Sequence, residues 1–179
     1  LFRRMPPIET NLERIAALAE QQRDDLAAFR YYVETMWFRE QRSSAELDAL
    51  VDRIAAGVIP HIDCTACANC CRALPVGLVP DDVPRLARGL DLPPDTVAGG
   101  VVNRAAGARN GEWGVMCGPP CPLLRGKLCA AYAHRPQSCR DYPALTPDFL
   151  WLMEPILAGA GQCPIIFNVV ERLKRALDW

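Results

Sequence analysis

The run Cys64-Thr65-Ala66-Cys67-Ala68-Asn69-Cys70-Cys71 sets three cysteines at three-residue spacing, with a fourth directly behind them. Spacing of three lets successive thiolates curl round one centre while backbone amides turn toward the sulfurs. Tetrahedral zinc and iron-sulfur clusters both use that geometry. Cys70 and Cys71 project in different directions, so it is hard for both to join Cys64 and Cys67 around one small ion. The vicinal pair points to two nearby centres or to one bridged multinuclear cluster. Core packing has no use for such spacing, since a buried cysteine behaves there as a small hydrophobe.

More sulfur follows at Cys117, Cys121, Cys129, Cys139 and Cys163, and proline comes directly after Cys121 and Cys163. A proline after a ligand turns the chain away from the metal and brings no amide that would need a partner. No second CxxC knuckle faces the first, which argues against an ordinary zinc ribbon. All nine cysteines fall between positions 64 and 163 of a 179-residue chain. In a reducing cytosol, clustered cysteines are metal ligands or redox groups rather than structural disulfides.

The longer pattern resembles the YkgJ-like cysteine-cluster family, whose members are described as zinc- or iron-chelating and often as iron-sulfur-cluster proteins. The resemblance rests on Cys64-x2-Cys67-x2-Cys70-Cys71-Arg72, on Cys121-Pro122-Leu123-Leu124, on Cys129-x2-Tyr132-x2-Arg135-Pro136-x2-Cys139-Arg140-Asp141-Tyr142-Pro143, and on Cys163. It covers residues 61–170. It implies eight metal ligands (Cys64, Cys67, Cys70, Cys71, Cys121, Cys129, Cys139 and Cys163) and leaves Cys117 as an extra thiol. The implied cofactor is an iron-sulfur cluster or Zn2+, held in one or two thiolate centres, with iron-sulfur slightly favoured.

Arg72, Arg135 and Arg140 each sit within a few residues of an expected ligand. Four thiolates around Zn2+ carry a formal charge of −2, as do four around [4Fe-4S]2+, so nearby guanidinium groups would offset charge and donate to sulfur. Salt bridges to Asp63 or Asp141 are the ordinary alternative. Tyr132 and Tyr142 read as core aromatics. His61 and His134 are the chain's two histidines, each more simply a surface or hydrogen-bonding group than a ligand.

Several chemistries have no footing. The chain carries no glycine-rich phosphate loop, dinucleotide fingerprint, GxSxG elbow or HExxH. No catalytic constellation is visible, although a cluster-dependent oxidoreductase is compatible with the ligands. Net charge is −1, which offers no footprint for nucleic acid or an anionic membrane. The basic start Phe2-Arg3-Arg4-Met5 runs into Pro6 and Pro7, unlike a secretory signal. The longest uncharged run, 155–170, is too short and broken to span a bilayer. The expectation is a cytoplasmic protein.

The elements that must position the sulfur are helical. Residues 8–57 read as a helical hairpin. Thr10 or Asn11 caps its start, and Leu12, Ile15, Ala19, Leu26, Phe29, Val33 and Met36 form one stripe that only Gln22 interrupts. Ser43 and Glu46 form a capping box for its second helix, which runs from Ser44 to about Gly57. The hairpin covers the core of the cysteine domain or, alternatively, meets a protein partner as a coiled coil.

Beyond it, helices are expected after Pro80, after Pro94 and near Pro136, and over 162–179. Residues 101–117 suit a small β-hairpin or an irregular loop. The fold class is therefore mainly α. An N-terminal helical hairpin at 1–57 joins a small irregular α domain with minor β at 58–179, knit around its metal.

Overall fold

The computed structural model describes residues 6–179; the basic start at 2–5 lies outside the described residues. In chain order the helices are α1 (Leu12–Gln21), α2 (Arg23–Arg39), α3 (Ser44–Ala56), α4 (Cys64–Cys67), α5 (Asn69–Ala73), α6 (Asp82–Leu90), α7 (Pro94–Val101), α8 (Arg104–Arg109), α9 (Gln137–Asp141), α10 (Phe149–Ala158) and α11 (Pro164–Ala176). The strands are β1 (Gly77–Leu78), β2 (Val102–Asn103), β3 (Gly114–Met116), β4 (Leu124–Arg125) and β5 (Leu128–Cys129). The protein is mainly α with a few short antiparallel strands. No helix among the described residues is long and apolar enough to cross a membrane.

Contacts divide the chain into two compact units, 1–62 with 143–179, and 63–142. In the first, α1 to α3 pack with α10 and α11. Asn11 caps α1, its side chain accepting from the Arg14 N–H. The helix then breaks at the polar Gln22 and restarts as α2, so 8–57 is three helices rather than two. Ile15, Leu26, Phe29, Val33 and Trp37 are the buried stripe. Trp37, whose indole N–H donates to Ser43 O at 3.0 Å, is fully buried where Met36 had been expected.

The capping box is not formed. Ser43 takes the N-cap backbone geometry of α3, but its side chain accepts nothing from the helix, and Glu46 instead accepts from Arg42 Nε at 3.2 Å. That ion pair draws the glutamate away from the Ser43 N–H it would need to reach. Helix α11 buries Ile165, Ile166, Val169, Val170 and Leu173 in the expected pattern. Asn168, buried among them, receives the Glu9 N–H and donates to Glu9 O, both at 2.8 Å, pinning the N-terminal segment to this helix.

The second unit has its own core of Leu78, Val83, Leu86, Ala87, Val97, Val101, Met116, Leu123 and Ala131. A three-stranded sheet of order β1-β3-β2 crosses it. Val102 pairs with Met116 and Gly77 with Val115, so 101–117 is a hairpin whose loop holds α8. A Cβ on Gly107 would lie 2.4 Å from the Gly114 Cα, so only glycine lets α8 close onto β3.

Candidate metal centre

Asp63 begins the site. Its carboxylate accepts the Thr65 N–H and hydroxyl at 2.8 and 2.6 Å, which caps the single turn of α4 and holds Asp63 below the usual carboxylate range. That turn brings Cys64 and Cys67 onto one side. Ala68 then takes the left-handed conformation with φ +52°, which ends α4 and redirects the chain into α5. Cys70 and Cys71 therefore lie on a separate helix from Cys64 and Cys67.

The next sulfurs arrive on a hairpin. Cys121 N–H donates to Cys71 O at 2.8 Å, tying the two segments together. Strands β4 and β5 pair Leu124 with Cys129 through a tight turn at Gly126, whose φ of +62° suits glycine. Backbone N–H groups of Leu123 and Leu124 point at Cys121 Sγ, and that of Ala131 points at Cys129 Sγ. Such amides stabilise thiolate over thiol. Cys121 and Cys129 pack against the core of this unit, and Cys121 Sγ sits 3.2 Å from the thioether of buried Met116.

Cys139 rides on α9, and α9 is fixed from below. Buried Asp82 accepts the Gln137 N–H at 3.0 Å through one oxygen and the Val79 N–H at 3.0 Å through the other. Ser138 Oγ donates to Gly77 O at 2.7 Å. The preceding helical turn at 132–134 presses on α6 so closely that a Cβ at Gly89 would meet the His134 Cβ at 2.7 Å. His134 is thus a packing residue.

The thiols of this unit feel one another. Burial, then the neighbouring Cys121, Cys71 and Cys129, push Cys139 up to about 12. Burial and the neighbouring thiols Cys67 and Cys71 raise Cys64; burial, with Cys129 and Cys71, raises Cys121; burial, with Cys71, raises Cys129. Cys71 acts on all four, so its thiol lies near the CxxC turn as well as the three later cysteines. Arg135 opposes the rise at Cys64, Cys129 and Cys139. Its guanidinium lies 3.8 Å over the Tyr132 ring, and its Nε is buried with no hydrogen-bond partner.

The other two arginines are engaged elsewhere. Arg72 donates to Cys67 O at 3.0 Å and Arg140 donates to Gln137 Oε1, while Asp141 accepts from the Gln137 side chain. Tyr132 is partly exposed as the platform for Arg135 rather than a core aromatic. Cys117 follows β3, its N–H bonded to Val101 O at 2.9 Å. His61 is exposed and lies in the other unit, as does Cys163, which is buried at the N-cap position of α11.

The sequence marks Asp81 and Asp82 alike as acidic residues at a helix start and gives no signal that Asp82, with Ser138, holds α9 in place. Among the described residues, no three Cys, His, Asp or Glu side chains already surround a common point at ion-holding distance. The donor set nevertheless suits a soft cation. Its thiols are mutually repulsive as thiolates, two are met by amide N–H groups, and an unpartnered guanidinium N–H is buried beside them.

Residues 63–158, more than half of the chain, match a family model described as "CxxCxxCC: Putative zinc- or iron-chelating domain". The match takes in every cysteine except Cys163. No curated protein and no solved structure matches the chain.

Proposed function

Because the chain belongs to the CxxCxxCC family of zinc- or iron-chelating domains, we propose that it holds one or two all-thiolate centres, iron-sulfur in preference to zinc, and uses them in electron transfer or metal handling. The observation that carries this reading is that Cys71, on the helix directly after the CxxC turn, is tied through its carbonyl to the Cys121 N–H at 2.8 Å and has Cys64, Cys121, Cys129 and Cys139 near enough to feel its charge. A thiolate close to both groups of ligands suits a multinuclear centre better than a lone tetrahedral ion.

Cys71, Cys121, Cys129 and Cys139 would hold one part of the centre, and Cys64, Cys67 and Cys70 the other. Cys163 is the eighth proposed ligand, as the family resemblance implies and as the proline behind it suits. Arg135 would donate its buried N–H to a ligating sulfur and offset part of the −2 charge. Bound metal supplies either a reversible one-electron couple or, as zinc, a rigid cross-link.

Exposure of Cys64 favours exchange of electrons or metal with a partner over a closed structural role. The packing of Cys121 and Cys129 against the core favours the alternative, a structural zinc module without redox activity. Anaerobic purification with elemental analysis and an absorbance spectrum separates them. Iron with inorganic sulfide and broad absorption near 400 nm is the expected result, and colourless protein carrying about two zinc ions per chain would establish the structural reading instead.

A further inference from the structure

Helix α2 presents two faces. Leu26, Phe29, Val33 and Trp37 are buried, whereas Asp24, Ala27, Ala28, Tyr31, Phe38 and Arg39 on the opposite side are exposed. Tyr31 and Phe38 are 71% and 86% accessible, the latter the most exposed large hydrophobic residue among those described. They are seven residues apart and therefore lie on one line along the helix. Isolated exposed apolar residues need no explanation, but two aromatics aligned on a 17-residue helix about 25 Å long form a strip.

The strip is ordered by size and by charge. Small side chains, Ala27 and Ala28, occupy its N-terminal half, Tyr31 its middle and Phe38 its C-terminal half. Acidic Asp24 stands at one end and basic Arg39 at the other, and neither forms an ion pair among the described residues. A surface with those gradients is complementary to itself when turned end for end. Two antiparallel copies centred near Tyr31 would set the last turn of each helix, with Phe38 and Arg39, against the first turn of the other, with Asp24, and so bring Asp24 of each near Arg39 of the other. The two helix dipoles would then oppose, which is also favourable.

We propose that the protein self-associates through an antiparallel, two-fold pairing of α2 with α2 of a second copy. A two-fold contact is made by the same patch on both partners, as this one requires. A single helix pair buries less than a standard interface, so the dimer is reversible, with a dissociation constant on the order of 10 µM.

Sedimentation of the full chain from about 1 to 100 µM, with its metal as isolated, tests the pairing. The expected result is a monomer-dimer equilibrium that Phe38→Glu weakens at least about tenfold, without change in helical content. Asp24→Arg and Arg39→Asp should each weaken the dimer, and the two substitutions in one chain should restore it. A monomer throughout the range overturns the proposal. So does a dimer indifferent to Phe38→Glu, or a double variant no tighter than the singles.

Discussion

Asp82 on α6 accepts the backbone N–H of Gln137, 55 positions away, at 3.0 Å. Gln137 is the first residue of α9, the helix that carries Cys139. A buried carboxylate here does the work of an N-cap supplied from a distant part of the chain, and its second oxygen closes the turn at Val79. The position of Cys139 relative to the other thiols therefore depends on a residue that bears no sulfur.

Replacing Asp82 by alanine should cost about 2–3 kcal/mol, because it leaves the N–H groups of Val79 and Gln137 without their acceptor. Chemical denaturation of the metal-free protein reads the loss. Metal uptake should weaken as well, while Asp81→Ala, at an exposed neighbour, should change neither. Equal effects of the two substitutions would dismiss the tether.

How much of this was legible beforehand depended on whether the signal was local. The CxxCxxCC run, the stripe from Ile15 to Val33 and the helix after Pro80 are written in spacing, and each appears where expected. What escaped was decided by distant partners. Asp82 resembles any acidic helix start until Gln137 is beside it. Glu46 satisfies the pattern of a capping box, yet Arg42 takes its carboxylate. Helix α10 contains Pro155 and begins after Asp148 at φ +69°, both signs of a loop, and is held by α3. Of three arginines with equal claims in the sequence, Arg135 is the one whose charge reaches three of the thiols, because Tyr132 supplies a ring to lie on.

The proposed metal ligands should separate cleanly from Cys117. Cys71→Ser and Cys139→Ser are expected to lose most bound metal and to melt earlier than the metal-loaded parent, since the binding free energy of a thiolate site adds to the folding free energy of the unit spanning 63–142. Cys117→Ser should change neither. Metal content per chain and thermal melts decide, and full metal in Cys71→Ser would remove the proposed hub.

Alkali should destabilise the metal-free, reduced protein. Burial and neighbouring thiols raise Cys139 from 9.0 to about 12, so the folded state holds that proton more tightly than the unfolded chain. The resulting stability is complete below pH 9 and is lost as the pH climbs toward 12. Cys64, Cys121 and Cys129 are shifted in the same direction and add to the slope. Denaturation midpoints between pH 7.5 and 10.5 should fall, and Cys139→Ser should flatten the fall. A metal-loaded protein should behave oppositely: the proposed ligands bind as thiolates, so acid would compete for them and binding would release protons.

In the other unit the counterpart of Asp82 is Asp48 on α3. Its carboxylate accepts the N–H groups of Asp148 and Phe149, both at 2.9 Å, at the start of α10, while Asp52 one turn on accepts the Thr146 hydroxyl at 2.6 Å. Helix α10 has no side-chain cap of its own. Asp48→Ala should therefore cost about 1–2 kcal/mol, the usual worth of a capping carboxylate. Asp48→Asn, which keeps one acceptor, should cost less. Neither should alter metal content, because α3 and α10 carry none of the proposed ligands. Metal loss in Asp48→Ala at a temperature where the protein remains folded would count against a role confined to capping α10.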